Sequence, residues 1–274
     1  MTAQRHDTFE KGRTDGRATV WRRPPRELML PVGQVHVWRA EVAQHTSALS
    51  ELGSLLSPAE QERADRFYFA ADRERFVVAH GCLRVLLGRY LRETPRTLRF
   101  LDNPHGKPAL EPSGDQAGLR FNLSHSQGLV LYAVARGREV GVDVEQIRLV
   151  ADFERIAEQF FSPAERKKLK MLRTECKLDG FFGLWTLKEA YVKARGQGLS
   201  VPLHEFSVSL QPDASGNFFL MHENDVRLGA DWSLRRLTPG PGYAGALAVE
   251  GHNWELNLWE LHDGFKPGGM RDEG

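Results

Sequence analysis

Cysteine and long apolar runs are scarce in this sequence. Only Cys82 and Cys176 are present, so the chain lacks a disulfide framework, and two cysteines without clustered histidines make a poor zinc site. No stretch approaches the roughly 20 apolar residues that a membrane-spanning helix needs. The N-terminus also lacks an apolar run resembling a signal peptide. We therefore expect a cytoplasmic protein, in which carboxylates are the natural ligands for any metal.

An excess of charge of one sign is also missing. The 274 residues contain 37 Lys and Arg against 36 Asp and Glu, which gives a net charge of +1. A nucleic-acid binder would normally carry a basic excess. Hydrophobic residues make up 41% of the chain and charged residues 27%, which is ordinary globular usage. We expect no nucleic-acid partner, and any anionic ligand must be held by a local site.

The two ends of the chain lack the periodicity of buried elements. The first part is polar and rich in Arg and Gly, and it contains the run RPPR at 23–26. We interpret residues 1–32 as a flexible extension and residues 263–274 as a flexible tail. The first alternating segment is Gln34 to Val42, which predicts a half-buried strand.

One four-residue string, SPAE, occurs twice, at 57–60 and at 162–165. A Ser followed three residues later by Glu, with Pro between them, is a capping box that starts a helix. After each copy come a charged helix, an apolar helix, a short strand and later alternating strands. This repeated order predicts an α+β fold of two similar pseudo-symmetric halves, each a small, mostly antiparallel sheet packed with helices. We place the halves at 33–137 and 138–262, with a ligand cleft between them.

The segment Val140 to Glu145 alternates with period two. In a strand its valines face the core, while Asp143 and Glu145 share the opposite face. Two neighbouring carboxylates repel each other unless a cation or a shared proton intervenes. Mg²⁺ suits such a pair, although a solvated strand face would show the same pattern.

A second carboxylate segment runs from Trp185 to Lys193. Trp185, Glu189 and Lys193 are four residues apart and lie on one face of a helix. The alternative is an ordinary surface Glu–Lys pair, but the neighbouring residues are largely apolar. The glycines at 196 and 198 then end the helix.

Two loop motifs and one basic stretch are candidates for binding phosphate. Ser124 and His125 end a strand-like segment, where hydroxyl, imidazolium and turn amides are all donors; the alternative is a turn whose side chains satisfy each other. The GKP string at 106–108 is not a P-loop, because no GxxxxGK[ST] surrounds it. The arginines at 63, 66, 73 and 75 are interleaved with acids, as on a solvated helix face.

Taken together, five motifs resemble the signatures of 4'-phosphopantetheinyl transferases of the double-length, Sfp-like class. They are GKP at 106–108, FNLSHS at 121–126, GVDVE at 141–145, FFSPAE at 160–165 and WTLKEAYVKARGQG at 185–198. The resemblance spans about residues 34 to 250, and the two-half fold of that family agrees with the repeat.

The resemblance implies transfer of the 4'-phosphopantetheine arm of coenzyme A to a serine of an apo acyl or peptidyl carrier protein, with release of 3',5'-ADP. By family analogy Asp143, Glu145 and Glu189 ligate Mg²⁺. Lys193 contacts the diphosphate and helps the leaving group, with Lys188 as a weaker candidate for either role. Glu189 is also a candidate base for the serine proton, and the sequence does not separate ligand from base.

The same resemblance assigns residues to coenzyme A. Ser124 and His125 match positions that hold its phosphates, and Gly106, Lys107 and Pro108 match the stretch lying against the adenine. Arg63 matches a residue that contacts the 3'-phosphate. Two departures concern this pocket: Glu60 stands where some members carry a basic residue, and Phe76 replaces a small hydroxyl residue. We expect Arg75 to compensate.

Two other functions are compatible with these residues. The fold could serve as a carrier-protein or nucleotide-binding module without catalysis, although three intact carboxylates argue against a degenerate enzyme. A metal-dependent phosphohydrolase would use a similar carboxylate–lysine cluster. Two halves in one chain also supply internally the interface that a half-length protein finds by trimerising, so we expect a monomer.

Overall fold

The computed structural model describes residues 20–111, 118–222 and 229–262. The first half contains β1 (Gln34–Glu41), α1 (Leu49–Ser54), α2 (Pro58–Asp65), α3 (Ala70–Leu91), β2 (Phe100–Asp102), β3 (Pro108–Leu110), β4 (Leu119–Ser126) and β5 (Leu129–Arg136). The second half contains β6 (Val140–Gln146), α4 (Phe153–Phe160), α5 (Pro163–Met171), α6 (Thr174–Arg195), β7 (Phe206–Val208), β8 (Leu220–His222), β9 (Trp232–Leu237) and β10 (Tyr243–Glu250). A last strand, β11 (Glu255–Glu260), follows.

The two halves share one topology. In each, the first strand pairs antiparallel with the last, β1 with β5 and β6 with β10. The last strand also pairs antiparallel with the one before it, β4 or β9. A short two-stranded ladder, β2–β3 or β7–β8, follows each long helix. The α+β fold with two similar halves is therefore confirmed.

Strand β11, which follows the second half in sequence, departs from this two-half division. β11 pairs parallel with β1, so the first half's sheet has the order β11-β1-β5-β4 and the second half's sheet the order β6-β10-β9. The end of the second half in sequence thus contributes a strand to the first half in space.

Both predicted capping boxes are formed. The Ser57 hydroxyl accepts from the Glu60 N–H at 3.3 Å, and Glu60 accepts from the Ser57 N–H at 2.7 Å. Ser162 and Glu165 make the same two bonds at 3.2 and 2.8 Å. These bonds satisfy amides that have no partner inside the helix, and they fix where α2 and α5 begin.

Strand β1 is buried on both faces, whereas its alternation predicted burial on one. Trp38 packs with the helices of the first half, while Val35 and Val37 face an apolar layer shared by the two sheets. The second face is covered because the other half packs against it.

That shared layer positions the predicted carboxylate strand. Val140, Val142 and Val144 lie in it with no exposed surface. Asp143 and Glu145 therefore point to the other face of β6, the face against which α6 packs. The predicted orientation of this strand is confirmed.

Part of the expected N-terminal extension contacts the folded halves. Arg22 bridges to Trp259 of β11, and the Trp21 indole donates to the Thr238 carbonyl at 2.9 Å. Residues 1–19 and the expected tail at 263–274 lie outside the described residues. Within the described ranges, none of the helices combines the length and apolarity needed to cross a membrane.

Candidate active site

Asp143 is the centre of a buried polar cluster on β6. Its carboxylate is 3% exposed, and its Oδ1 accepts from the Lys193 ammonium at 2.5 Å and from the Ser124 hydroxyl at 2.9 Å. Lys193 also donates to the Ser124 hydroxyl oxygen at 2.9 Å. Strands of both halves and helix α6 thus meet at one carboxylate.

Gly141 allows α6 to lie this close to β6. A Cβ at Gly141 would overlap the backbones of Ala190 and Ala194. Because glycine carries no side chain, α6 crosses directly over the strand and brings Glu189 and Lys193 above the carboxylate face. Alanines on the neighbouring strand, Ala246 beside Asp143 and Ala244 beside Glu145, leave space on the same face.

The three predicted carboxylates interact electrostatically. Burial raises the pKa of Glu145, and the charge of Asp143 raises it further. Burial also raises the pKa of Glu189, and Asp143 and Glu145 add to this shift while Lys193 opposes it. Asp143 therefore lies close enough to Glu145 and Glu189 to disfavour the charged forms of both, as expected for carboxylates that share a cation.

The donor set fits a hard divalent cation. Asp143 Oδ2 is buried and has no hydrogen-bond partner in the described part of the chain, which is costly for a charged oxygen. Carboxylate oxygens are the ligands that Mg²⁺ prefers. Within the ranges 20–111, 118–222 and 229–262, no three His, Cys, Asp or Glu side chains form a ready-made metal site. The Lys193 ammonium instead neutralises Asp143.

Ser124 and His125 differ from the free phosphate donors that we expected. The Ser124 hydroxyl is used by Asp143, Lys193 and the Val144 N–H. Although part of His125 is exposed, desolvation of its ring, followed by the nearby Arg75, His80 and Lys193, lowers its pKa to about 4. His125 is therefore a neutral imidazole at pH 7 and not the expected imidazolium.

Arg75 and His80, two of the groups that lower the pKa of His125, belong to a surface that also includes Arg63 and Phe76 and is called the wall below. Arg75 is 21% exposed and pairs with Asp72 at 3.1 Å. Phe76 stacks on His80 with ring centroids 4.0 Å apart, and the Arg63 guanidinium lies over the Phe76 ring at 5.5 Å. Phe76, which departs from the family pattern, is thus the platform that joins Arg63 to His80.

Glu60, the other departure, is held inside the first half. It accepts from Arg84 Nε at 2.8 Å and lies 3.5 Å from His80 Nδ1. Burial opposes its charge, but hydrogen bonds from His80, Ser57 and Arg84 lower the pKa of Glu60 to about 2. Glu60 is therefore ionised at neutral pH, and the Arg84 guanidinium balances its negative charge.

The GKP loop joins the two halves. The Lys107 ammonium donates to Glu139 at 2.7 Å, to the Ala194 carbonyl at 2.8 Å and to the Val140 carbonyl at 3.3 Å. A cation at the end of α6 also stabilises the helix dipole. Gly106 turns the loop with φ +82°, and Pro108 begins β3. The Lys107 ammonium is therefore occupied by structural contacts.

Lys188 does not belong to this cluster. It has no exposed surface, and its ammonium donates to both Glu165 oxygens and to the Phe206 carbonyl, the last at 2.6 Å. The expectation that Lys188 contacts coenzyme A is corrected, since its side chain points into the core of the second half.

Sequence reasoning missed three polar residues near the site. His80 lies in the wall, and Asn122 and Ser126 bond to β6 beside Asp143. A signal for the last two was available, because Asn122, Ser124 and Ser126 alternate and must share one face of a strand.

Comparisons with known proteins agree with the motifs. The family described as the 4'-phosphopantetheinyl transferase superfamily matches residues 139–248, and the family of N-terminal domains of 4'-phosphopantetheinyl transferases matches residues 37–136. The chain is similar to the 4'-phosphopantetheinyl transferase HetI of Nostoc, with 39% identity over 87% of this chain and 97% of HetI. It is 32% identical to the 4'-phosphopantetheinyl transferase Sfp of Bacillus subtilis over 58% of this chain and 69% of Sfp.

Among solved structures, one similar chain is the holo-(acyl-carrier-protein) synthase of Bacillus anthracis in complex with CoA (3',5'-ADP). It has a TM-score of 0.34 and 22% identity, over 42% of this chain and 96% of the synthase.

Proposed function

Because the chain belongs to the 4'-phosphopantetheinyl transferase superfamily and is an Sfp-type enzyme of it, we propose its reaction in full. It transfers the 4'-phosphopantetheine group of coenzyme A to a serine of an apo acyl or peptidyl carrier protein. The reaction depends on Mg²⁺ and releases 3',5'-ADP.

The observation that carries this proposal is the cluster of Asp143, Glu145, Glu189 and Lys193. Three interacting carboxylates and one ammonium lie where β6 and α6 of the second half meet β4 of the first. A serine oxygen forms a bond to the phosphorus that bears pantetheine, and the bond from that phosphorus to the bridging oxygen breaks. The bridging oxygen leaves with 3',5'-ADP.

Asp143, Glu145 and Glu189 would hold the metal. When bound, a divalent cation stabilises the negative charge that develops on the diphosphate. Lys193, 30% exposed at its side chain, would exchange its contact with Asp143 for the diphosphate and stabilise the leaving oxygen. The serine proton goes to Glu189, directly or through water, so that Glu189 is proposed both as ligand and as base.

The remaining assignments concern the rest of coenzyme A. Arg63 and Arg75, on the wall around His125, would hold the 3'-phosphate. Ser124 and neutral His125 would contact the phosphates nearest Asp143. The loop of Gly106, Lys107 and Pro108 would lie against the adenine through its backbone, since the Lys107 ammonium already has three partners.

The test is a gain in mass on the acceptor. The protein is incubated with coenzyme A, Mg²⁺ and each of several apo carrier proteins, and intact-protein mass spectrometry looks for one added phosphopantetheinyl group. The group is expected on the carrier serine, and a carrier with Ala at that serine is the control. Release of inorganic phosphate from coenzyme A without a carrier would show a phosphohydrolase and overturn the proposal.

We also propose that the protein acts as a monomer. The site draws Ser124 from the first half and Asp143 from the second, so one chain supplies both sides of it. Light scattering during turnover checks this, and a dimer that dissociates with loss of activity would contradict it.

A further inference from the structure

Strand β4 is attached to the edge of β6 by side chains and not by a backbone ladder. Asn122, Ser124 and Ser126 all lie on one face of β4. They accept the N–H groups of Val142, Val144 and Gln146 at 2.9, 3.4 and 3.1 Å. The two strands therefore run in the same direction, and successive polar side chains of β4 bind alternate backbone amides of β6.

Each serine in this series also contacts a carboxylate. The Ser126 oxygen accepts from the Gln146 N–H, and its hydroxyl donates to Glu145 Oε2 at 2.9 Å. A serine hydroxyl has a single hydrogen. Because the amide proton already points at the oxygen, that hydrogen is directed to the carboxylate.

Ser124 repeats this arrangement one step earlier on the strand. It accepts from the Val144 N–H and donates to Asp143 Oδ1. Each of the two carboxylates of β6 thus accepts a hydrogen bond from the hydroxyl of a serine on β4. Asp143 also accepts a hydrogen bond from Lys193, whereas the hydrogen bond that places the Glu145 carboxylate comes from Ser126.

We propose that Ser126 is a positioning residue that orients the Glu145 carboxylate for a divalent cation. A half-buried glutamate side chain has several rotatable bonds, and fixing one oxygen lowers the entropy lost when the other binds a metal. Residues that hydrogen-bond to metal ligands act in this way in other sites. The inference rests on the proposed function, because it takes Glu145 as a ligand.

The test measures metal binding directly. Mn²⁺, which accepts the same oxygen ligands, is titrated into the full-length protein and followed by electron paramagnetic resonance, without coenzyme A or carrier. Ser126→Ala is expected to weaken Mn²⁺ binding by about tenfold. Ser126→Thr keeps the hydroxyl and is expected to bind Mn²⁺ close to the wild-type value.

A matched control separates positioning from loss of structure. Ser233 of β9 is a buried serine whose hydroxyl oxygen lies 2.7 Å from the Gly251 carbonyl oxygen and 2.8 Å from His252 Nδ1, so that neither of these neighbours is a carboxylate. Ser233→Ala is expected to leave Mn²⁺ binding unchanged. Urea unfolding of all variants shows whether Ser126→Ala remains folded under the titration conditions.

The outcomes distinguish this inference from the proposed function. If folded Ser126→Ala binds Mn²⁺ as tightly as the wild type, the positioning role is wrong, whether or not the wild type modifies carriers. If the wild type modifies no carrier and Ser126→Ala still weakens Mn²⁺ binding, the positioning role stands and the reaction is wrong. In active protein, the Mg²⁺ concentration giving half the maximal rate should rise for Ser126→Ala, with the KM for coenzyme A unchanged.

Discussion

The ammonium of Lys188 donates to both carboxylate oxygens of Glu165, at 2.9 and 2.7 Å, inside the core of the second half. Arg84 holds Glu60 in the first half, where its Nε and Nη2 lie 2.8 and 2.7 Å from one carboxylate oxygen. Arg84 and Lys188 occupy the same position in the two 22-residue helices α3 and α6. Each cation thus secures the capping-box glutamate of its own half.

Lys188→Met is expected to destabilise the protein by about 3–5 kcal/mol, because it leaves the buried Glu165 charge without its partner. Urea unfolding measures this loss. The control is Arg155→Met, which breaks a surface pair with Asp152 and is expected to cost less than about 1 kcal/mol. The KM for coenzyme A of the folded Lys188→Met fraction should stay at the wild-type value. A rise in KM with unchanged stability would restore Lys188 to the substrate site.

Gly141→Ala is expected to separate α6 from β6. The added methyl overlaps the backbones of Ala190 and Ala194, and overpacking of this kind costs about 1–3 kcal/mol. The shift also moves Glu189 and Lys193 relative to Asp143, and a displacement near 1 Å can lower a rate by roughly 100-fold. Transfer activity and urea unfolding of the same preparation are the measurements.

Gly240→Ala is the matched control, since a Cβ there meets nothing within 4 Å. It is expected to leave both activity and stability within experimental error of the wild type. If the two variants behave alike, the close approach of α6 does not depend on Gly141.

The repeat predicted more of the fold than of the site. Capping boxes and strand alternation are local signals, so the paired helices, the two halves and the orientation of Asp143 followed from sequence. The burial of Lys188 depends on Glu165, 23 residues away, and Lys188 and Lys193 lie in the same helix, α6. Local sequence alone therefore did not separate the structural lysine from the one beside Asp143.

The repeat also shows which residue the first half carries at the position of Asp143. Trp38 of β1 pairs with Tyr132 as Asp143 of β6 pairs with Ala246. Trp38 is fully buried against the helices of the first half, whereas Asp143 binds Lys193 of α6. Equivalent backbone positions thus carry an apolar packing residue in the first half and a carboxylate in the second, so the difference lies in the residue and not in the fold.

Asp143→Asn is expected to abolish transfer while the protein stays folded. The amide keeps the shape of the side chain but removes the charge that binds Lys193 and raises the pKa of Glu145 and Glu189. Loss of one of three repelling carboxylates offsets loss of the ion pair, so we expect a stability change below about 1 kcal/mol. Carrier labelling and thermal unfolding are the two measurements, and a variant that unfolds would indicate a structural role.

His36 is expected to make the protein sensitive to mild acid. It is 3% exposed, its Nδ1 lies 2.7 Å from the Tyr90 hydroxyl, its Nε2 lies 3.2 Å from Gln34, and Trp259 packs edge-on against it. Burial lowers the pKa of His36 from its usual 6.5 to about 4. Between these values the unfolded chain binds the proton and the folded chain does not, so stability falls as the pH falls from 6.5 to 4.

His36→Gln is expected to remove about 2–3 kcal/mol of that loss. Urea unfolding at intervals between pH 7 and pH 4 measures the difference from the wild type. Some acid sensitivity should remain, because the lowered pKa of His125 acts over the same range. Parallel stability curves for the two proteins would exclude His36 as the cause.

Arg75→Gln is expected to weaken the recognition of the 3'-phosphate. Arg75 is a partly buried cation whose charge acts on His125, and its ion pair with Asp72 keeps it on the wall. Loss of a charge-assisted hydrogen bond costs about 1.5–3 kcal/mol, so the KM for coenzyme A should rise roughly 10- to 100-fold. Dephospho-coenzyme A, which lacks the 3'-phosphate, should show equal KM values for the wild type and Arg75→Gln, because it cannot make the lost contact. The control is Arg73→Gln, whose side chain is 55% exposed and paired with Asp65, and which should change neither KM. Equal effects of Arg75→Gln on both substrates would place Arg75 on another part of coenzyme A.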